Sequence, residues 1–290
     1  MKRPKRPWWH RVLLYGGFFF GFYLALCVYL AGWYLCPGRT QPMRPRELQE
    51  VQIPTGKLNT PAWSTRNLAN DHPSKTVFVF AHGYGGDRGH WTRVVRDLEK
   101  KGYDSVIPAL PGQDQSPYSR VGFGREEAKV LQQTFDWVRR GNPKPKIIVV
   151  GVSMGGAAAW LSSELDPTID GVVTEGAYAR FAPAMSHWLD QALPYGSITL
   201  RPVVWIASAR SGIDPASINP EDAARKWKGR PALVMQAGDD RLIEKWHAVR
   251  LAEAAGCELT EVPGAVHAGC CDQLGERYAD LLAHFAERLP

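Results

Sequence analysis

The sequence predicts an α/β domain with a mostly parallel central sheet, helices on both faces of that sheet, a small helical cap, and one transmembrane helix at the N-terminus. From residue 76 onward, short β-branched and aromatic segments alternate with segments of helical spacing. This alternation is typical of βαβ units, whose strands pair in parallel. An uncharged apolar segment at residues 12–38 lies ahead of them and predicts the membrane helix.

The N-terminal apolar segment is too long for most other uses. It runs from Val12 to Gly38 without a charged residue, which exceeds the ~20 residues that cross a hydrocarbon core. A signal peptide has a shorter core and a small-residue cleavage site, and a buried helix of this length would carry a polar face. We therefore expect a basic tail at 1–11 and a transmembrane anchor at 12–36. Trp33 and Tyr34 would belong to an interfacial aromatic belt.

The positive charge of the chain is concentrated in that tail. The net charge is +6, and five of these charges come from Lys2, Arg3, Lys5, Arg6 and Arg11. The remaining chain is close to neutral, which argues against nucleic acid as a partner. Because basic flanks stay in the cytoplasm, we expect the domain on the other side of the membrane. The membrane that we expect is the inner membrane of a bacterium. The sequence leaves the oligomeric state open.

The pattern after the anchor divides the chain further. Residues 37–73 are rich in proline and polar residues and predict a juxtamembrane linker with one or two edge strands. The domain occupies 74–290, with an insert at about 177–229 that is too long for one crossover. One helical face of this insert either lines a substrate cleft or packs on the domain; its residues are Phe181, Met185, Trp188, Leu189 and Ala192.

The cysteines do not have the spacing of a zinc or redox site. The C-terminal three are Cys257, Cys270 and Cys271. In an exported domain Cys257 could pair with either of the other two, and the sequence equally allows buried free thiols.

One short motif combines these structural signals with chemistry. Gly151-Val152-Ser153-Met154-Gly155 is G-x-S-x-G at the end of a predicted strand and the start of a predicted helix. A sharp strand-to-helix turn exposes the serine hydroxyl, and side chains two residues before or after it would clash, which accounts for Gly151 and Gly155. The helix N-terminus adds partial positive charge beside the hydroxyl. The pattern predicts a serine nucleophile.

From about residue 74 to 287 the sequence resembles the α/β-hydrolases. The resemblance rests on HGYGG after the first clear strand, ALPGQDQS, GVSMGG, AGDDRLI and VPGAVHA, in that order. It implies the α/β-hydrolase fold and a catalytic triad in the chain order Ser, Asp, His.

The resemblance implies a role for each candidate residue. Ser153 is the nucleophile, and His267, in the loop after the last strand, is the base. Asp240 is the acid because Asp240-Arg-Leu-Ile has the family's spacing. Asp239 is the alternative, and Glu175 after the preceding strand is a more distant one.

The same resemblance implies an oxyanion hole. It would consist of the backbone N–H groups of Tyr84 and Met154, with His82 holding the loop that carries Tyr84. The family commonly has glycine where this chain has Asp114. Aspartate tolerates a left-handed backbone better than most residues, so the turn is expected to survive.

The expected activity is that of a serine hydrolase of the esterase, lipase or thioesterase type. It would cleave a carboxylic ester or thioester, small or lipidic, through an acyl-enzyme and without a metal or other cofactor. The alternative is a catalytically silent member of the same fold that serves as a binding or scaffold protein at the membrane.

Overall fold

A central sheet organises the domain that follows the N-terminal helix. The computed structural model describes residues 7–70, 72, 74–141 and 144–290; Lys2, Arg3, Lys5 and Arg6 lie outside them. Within these ranges the strands are β1 (Gln49–Thr55), β2 (Leu58–Ser64), β3 (Thr76–Ala81), β4 (Asp104–Pro108), β5 (Lys146–Val152), β6 (Gly171–Glu175), β7 (Ala232–Ala237) and β8 (Leu259–Val262).

The sheet has the order β1-β2-β4-β3-β5-β6-β7-β8. β1 and β2 form an antiparallel pair at one edge, within the predicted linker, and β2 pairs antiparallel with β4. All pairs from β4 to β8 are parallel. The predicted mostly parallel sheet is therefore confirmed, and the carboxyl ends of its central strands meet at one edge.

Helices cover both faces of the sheet, as predicted. In the described ranges they are α1 (Trp8–Leu35), α2 (Arg66–Ala69), α3 (Thr92–Lys100), α4 (Arg125–Gly141), α5 (Met154–Leu165), α6 (Phe181–Ala192), α7 (Gly196–Thr199), α8 (Arg201–Ser211), α9 (Pro220–Lys226), α10 (Lys245–Ala255), α11 (Cys270–Leu274) and α12 (Glu276–Glu287). α4, α5, α9 and α10 pack on one face, and α3 and α12 on the other.

The two-residue period of the strands explains these two cores. In β3, Val77 and Val79 belong to the core beneath α4 and α5, while Phe78 and Phe80 belong to the core beneath α3 and α12. All four side chains are fully buried. A strand covered on both faces reads as a continuous apolar segment, which is why TVFVFA shows no polar alternation.

A third apolar cluster joins the cap to the N-terminal helix. α6, α7 and α8 lie in the predicted insert, and apolar side chains of α6 and α8 pack with the last turns of α1. Cys27, Ala31, Tyr34 and Leu35 form a buried face of α1. Tyr34, expected in an interfacial aromatic belt, is only 7% exposed and packs against the domain, whereas Trp33 is 50% exposed.

All five cysteines are free thiols in this structure. The alternative pairing of Cys257 with Cys270 or Cys271 is not formed. Cys270 and Cys271 are buried at the start of α11, beside the end of β6.

Candidate active site

The nucleophile elbow is the turn between β5 and α5. β5 ends at Val152 and α5 begins at Met154, so Ser153 alone forms the turn. Its backbone has φ 54° and ψ −119°, a conformation that is costly for a residue with a side chain. The Ser153 N–H donates to the Glu175 carbonyl at 2.8 Å, and the Ser153 carbonyl accepts from the Ala157 N–H at 3.0 Å. These bonds to β6 and α5 hold the strained residue in place.

The two elbow glycines are required by close backbone approach. A Cβ on Gly151 would lie 2.2 Å from the Gly155 carbonyl oxygen. A Cβ on Gly155 would lie 2.4 Å from the Ala81 carbonyl oxygen at the end of β3. Both distances are far inside van der Waals contact, so α5 can begin this close to the sheet only without those side chains.

The structure brings the three predicted polar residues into one chain of contacts. The Nε2 atom of His267 lies 2.9 Å from the Ser153 hydroxyl oxygen, and the His267 Nδ1 atom lies 2.8 Å from Asp240 Oδ2. The carboxylate is fully buried and the imidazole is 18% exposed. This geometry fits a neutral imidazole that donates from Nδ1 to the carboxylate and accepts the hydroxyl proton at Nε2.

Of the two neighbouring aspartates, Asp240 is the one that contacts the histidine. Its other oxygen, Oδ1, accepts hydrogen bonds from the backbone N–H groups of Leu242 and Ile243, both at 2.9 Å. The side chain of Asp239 is exposed, and its backbone N–H donates to the Ala265 carbonyl. The spacing in Asp240-Arg-Leu-Ile thus corresponds to a loop whose N–H groups fold back onto the Asp240 carboxylate.

Glu175, the more distant acid candidate, does not contact His267 directly. Its Oε1 atom accepts from the Cys270 backbone N–H at 2.8 Å, and burial raises the pKa of its carboxyl group. Its main-chain carbonyl accepts from Ser153. Glu175 therefore ties the histidine loop to the nucleophile elbow.

The remaining buried nucleophiles and bases near the site are poorly suited to reaction. Burial raises the pKa of the Cys271 thiol to about 12 and also raises that of Cys270, so both stay protonated. Burial lowers the pKa of His90 and of His247 to about 4. The Nδ1 atom of His247 accepts a hydrogen bond from the Ala179 N–H at 3.1 Å, which is a structural contact.

The loop after β3 reaches the nucleophile from the other side. Gly83 lies so close to Ser153 that a Cβ on it would be 3.4 Å from the serine Cβ. The backbone N–H groups of Tyr84 and Met154 have no acceptor among the described residues, and both residues line the pocket that contains Ser153. Unpaired N–H groups at such a position can bind an oxyanion.

Buried polar contacts hold this loop. The His82 Nδ1 atom donates to the Gly83 carbonyl at 3.0 Å and its Nε2 atom accepts from the Leu110 N–H at 3.3 Å. Gln113 Oε1 accepts from the Gly85 N–H. Burial lowers the pKa of His82, which keeps its ring neutral and suits these two roles.

Asp114 occupies the position where the family commonly has glycine, and the structure gives the reason. Its φ is 49°, the left-handed conformation that glycine would supply. Its carboxylate forms a fully buried ion pair with Arg88, 2.7 Å from Nε, and the Arg88 guanidinium lies over the Trp63 ring at 4.7 Å. The aspartate thus ties the turn to the loop after β3.

An apolar pocket of about 170 Å³ opens above Ser153. Cap residues supply much of its wall, so the predicted cleft-lining role fits three of the five named residues: Phe181, Met185 and Trp188. Leu189 is buried in the cap, and Ala192 is exposed.

Three features of the site had no signal in the sequence. Tyr34 of α1 lines the pocket and stacks on Phe123 and Trp188, with ring centroids 4.7 and 5.7 Å away. Gly176 lies against the histidine–aspartate pair, where a Cβ would be 3.2 Å from Asp240 Oδ2. Glu127 accepts from the N–H groups of Gly122 and Gly124, both at 2.7 Å, and so fixes the loop that carries Phe123.

Comparisons with known proteins agree with this architecture. A family model described as the alpha/beta hydrolase fold matches residues 76–196. The chain is 25% identical over 209 residues to Phospholipase YtpA of Bacillus subtilis (strain 168), a match that covers 60% of this chain and 79% of that protein.

Solved structures show the same fold. The Pyrococcus furiosus esterase Pf2001 has a TM-score of 0.70 at 20% identity over 88% of this chain and 99% of that one. Est1E from Butyrivibrio proteoclasticus has a TM-score of 0.62 at 15% identity over 82% and 99%. The parallel sheet, the family match over 76–196 and these shared folds together lead to one conclusion: the chain has the α/β-hydrolase fold.

Proposed function

We propose that this protein is a membrane-anchored serine hydrolase that cleaves a carboxylic ester or thioester through an acyl-enzyme. The observation that carries the proposal is the contact chain Ser153–His267–Asp240, with distances of 2.9 and 2.8 Å, at an apolar pocket. The intact set of contacts favours an enzyme over the silent scaffold, for which a broken triad would be expected.

The geometry supports a two-step mechanism. The Ser153 oxygen attacks the substrate carbonyl carbon while its proton passes to His267 Nε2, and the negative charge on the former carbonyl oxygen is stabilised by the N–H groups of Tyr84 and Met154. The intermediate collapses to acyl-Ser153 as His267 returns the proton to the leaving alcohol or thiol. Water then attacks the acyl group by the same route, which releases the acid and regenerates the hydroxyl. Asp240 holds the imidazole tautomer throughout.

The pocket supports an apolar acyl group as the part of the substrate beside Ser153. Aromatic and aliphatic side chains line it, among them Phe123, Phe181 and Ile243. Its volume suits a short acyl chain, or the carbons of a longer chain next to the ester. The phospholipase name of the Bacillus subtilis relative and the apolar N-terminal helix both favour a lipidic ester.

The helix α1 supports the anchor. It is long and apolar enough to cross a membrane, a property of its length and composition. The basic residues that precede it favour an N-terminus in the cytoplasm, and hence a domain outside it at the bacterial inner membrane.

The proposal is tested on the full chain in detergent micelles, because Tyr34 of α1 lines the pocket. Wild type and Ser153→Ala are compared on nitrophenyl esters from acetyl to long acyl chains. We expect the substitution to abolish hydrolysis across the panel, with a chain-length optimum in the wild type. Equal rates for both proteins would refute the serine mechanism and favour the scaffold.

A further inference from the structure

The N-terminal helix divides into a free part and a docked part. Every residue from Trp8 to Phe22 is exposed. From Tyr23 onward the helix packs against the cap: the Tyr23 hydroxyl donates to the Thr199 carbonyl, and an Arg210 N–H donates to the Val28 carbonyl at 3.1 Å. At its end, the Leu35 carbonyl accepts from the Val121 N–H at 2.9 Å.

The free part of α1 is too short to cross a bilayer. At 1.5 Å per residue it spans about 21 Å from Trp8 to Phe22, or about 15 Å if counted from Val12, after the last charge. The hydrocarbon core is about 30 Å thick. The free part is therefore about 9–15 Å too short. A span of about 30 Å that starts at Trp8 ends at Val28, and one that starts at Val12 ends at Gly32, so the second boundary of the hydrocarbon core lies beside the docked part of the helix.

The cap segment beside the docked part therefore lies at membrane depth. Thr199 contacts α1 at Tyr23, which is about 8 Å or more below the calculated boundary. Monotopic proteins bury their apolar faces about 5–10 Å into the headgroup and acyl boundary. The smallest depth calculated for Thr199 from the length of α1, about 8 Å, is thus within the roughly 5–10 Å to which monotopic proteins are immersed.

The surface of the cap in this region is independently unusual. It exposes four large apolar side chains, here called the cap patch: Leu193 (44% exposed), Tyr195 (75%), Ile198 (70%) and Trp205 (62%). Ile198, Arg201 and Trp205 follow helical spacing, and the Arg201 guanidinium lies 5.4 Å from the Trp205 ring centroid. Tryptophan and tyrosine prefer the bilayer interface, where an arginine can extend its charge toward lipid phosphates.

We propose that the cap patch is inserted in the bilayer leaflet where α1 leaves the membrane, so that α1 and the cap form one membrane-embedded surface. The occupant of the patch is thus phospholipid of the bilayer that α1 crosses. The inference rests on the proposed anchor and adds a second, monotopic contact to it.

The consequence for catalysis concerns the height of the pocket. Tyr34 lies about 3–9 Å beyond the calculated boundary, at the level of the headgroups, which occupy about 5–8 Å on each side. Because Tyr34 and Trp188 form part of the pocket wall, Ser153 faces substrate at the depth where glycerolipids carry their ester bonds. A lipid substrate then has to rise only slightly from the leaflet.

The test measures depth with a nitroxide attached to single introduced cysteines in the full chain, reconstituted in phosphatidylcholine and phosphatidylglycerol vesicles. Ile198→Cys probes the cap patch, and Phe19→Cys probes the free part of α1. Leu165→Cys is the matched control, since Leu165 is 44% exposed but lies at the far end of α5 from Ser153. Wild type taken through the same labelling corrects for the native thiols. The measured quantity is the rate at which each nitroxide collides with oxygen, which is enriched in lipid, relative to the rate at which it collides with a water-soluble nickel chelate.

We expect labels at 198 and 19 to collide mainly with oxygen, and the label at 165 mainly with nickel. If the label at 19 is in lipid but that at 198 is as wet as that at 165, the bilayer thins around a short helix and the cap insertion is refuted while the anchor stands. If the label at 19 is in water, the anchor fails and the insertion with it.

A second measurement uses activity. The double variant Ile198→Glu, Trp205→Glu should lose about tenfold or more of its rate on an ester embedded in vesicles and keep its rate on a dissolved short-chain ester. Leu165→Glu should change neither rate. A double variant with an unchanged rate on the embedded ester would contradict the proposal.

Discussion

Replacing Asp240 by asparagine tests the role of the buried carboxylate with little change of shape. Asparagine keeps an oxygen for the N–H groups of Leu242 and Ile243, which Asp240 Oδ1 accepts at 2.9 Å. It turns the oxygen 2.8 Å from His267 Nδ1 into an NH₂ donor, however, so that Nδ1 must become the acceptor. The ring proton then resides on Nε2, and this nitrogen can no longer accept the serine proton.

The expected loss of kcat is large because the Asp240 carboxylate is fully buried, so no water molecule can take its place beside His267. The loss of the correct tautomer lowers kcat by about 10³–10⁴-fold in a triad of this kind, which corresponds to about 4–5.5 kcal/mol of transition-state stabilisation. The assay is kcat and KM on a nitrophenyl ester for the full chain in micelles. We expect the loss in kcat, with KM nearly unchanged.

Asp239→Asn is the matched control for this substitution. The side chain is exposed and adjacent in sequence, and the substitution removes the same charge. We expect kcat to change by less than about twofold, because solvent screens the charge of this side chain. A larger loss in Asp239→Asn than in Asp240→Asn, or equal small losses in both, would refute the assignment.

Three other predictions concern the elbow, the pocket and the loop that carries Phe123. Gly155→Ala places a Cβ 2.4 Å from the Ala81 carbonyl oxygen and should lower both kcat and the free energy of unfolding, the latter by about 1–3 kcal/mol or more; an unchanged denaturation midpoint would contradict this. Trp188→Ala enlarges the pocket and should move the optimum of the ester panel to longer acyl chains, whereas a fixed optimum would place the acyl group elsewhere. Burial raises the pKa of Glu127 from 4.5 to about 7, so the folded state keeps a proton that the unfolded chain has released between these pH values. The free energy of unfolding should thus fall by up to roughly 3 kcal/mol as the pH rises from 4.5 to 7, at about 1.4 kcal/mol per unit; denaturation series at several pH values should show this slope in wild type, and an equal slope in Glu127→Gln would contradict it.

The fold and the elbow could be predicted because their signals are local. A strand covered on both faces is a short apolar segment, and the tight turn at Ser153 requires glycine on both sides within the same five residues. The aspartate that contacts His267 was predictable for a similar reason: Asp240 is held by N–H groups two and three residues later, so the spacing to Leu242 and Ile243 is part of the motif.

The contacts that the sequence did not reveal join distant parts of the chain. Tyr34 lies in a segment whose composition predicts only a membrane helix, and nothing in it indicates that one face packs on Phe123 and Trp188. The sequence shows that Asp114 departs from the family pattern, but nothing in it indicates that Arg88 is the buried partner of this carboxylate. Glu175 looked like a candidate acid because it follows a strand, while its partner, the backbone of Cys270, is visible only in the structure.

The proposed function depends on Ser153 being a nucleophile that His267 activates. Its most direct test is the mass of the full chain after treatment with a fluorophosphonate, followed by peptide mapping. We expect one phosphonyl group, located on Ser153, formed quickly in wild type, far more slowly in His267→Ala and not at all in Ser153→Ala. A wild-type protein that hydrolyses esters but carries the label on another residue, or that labels equally fast without His267, would contradict it.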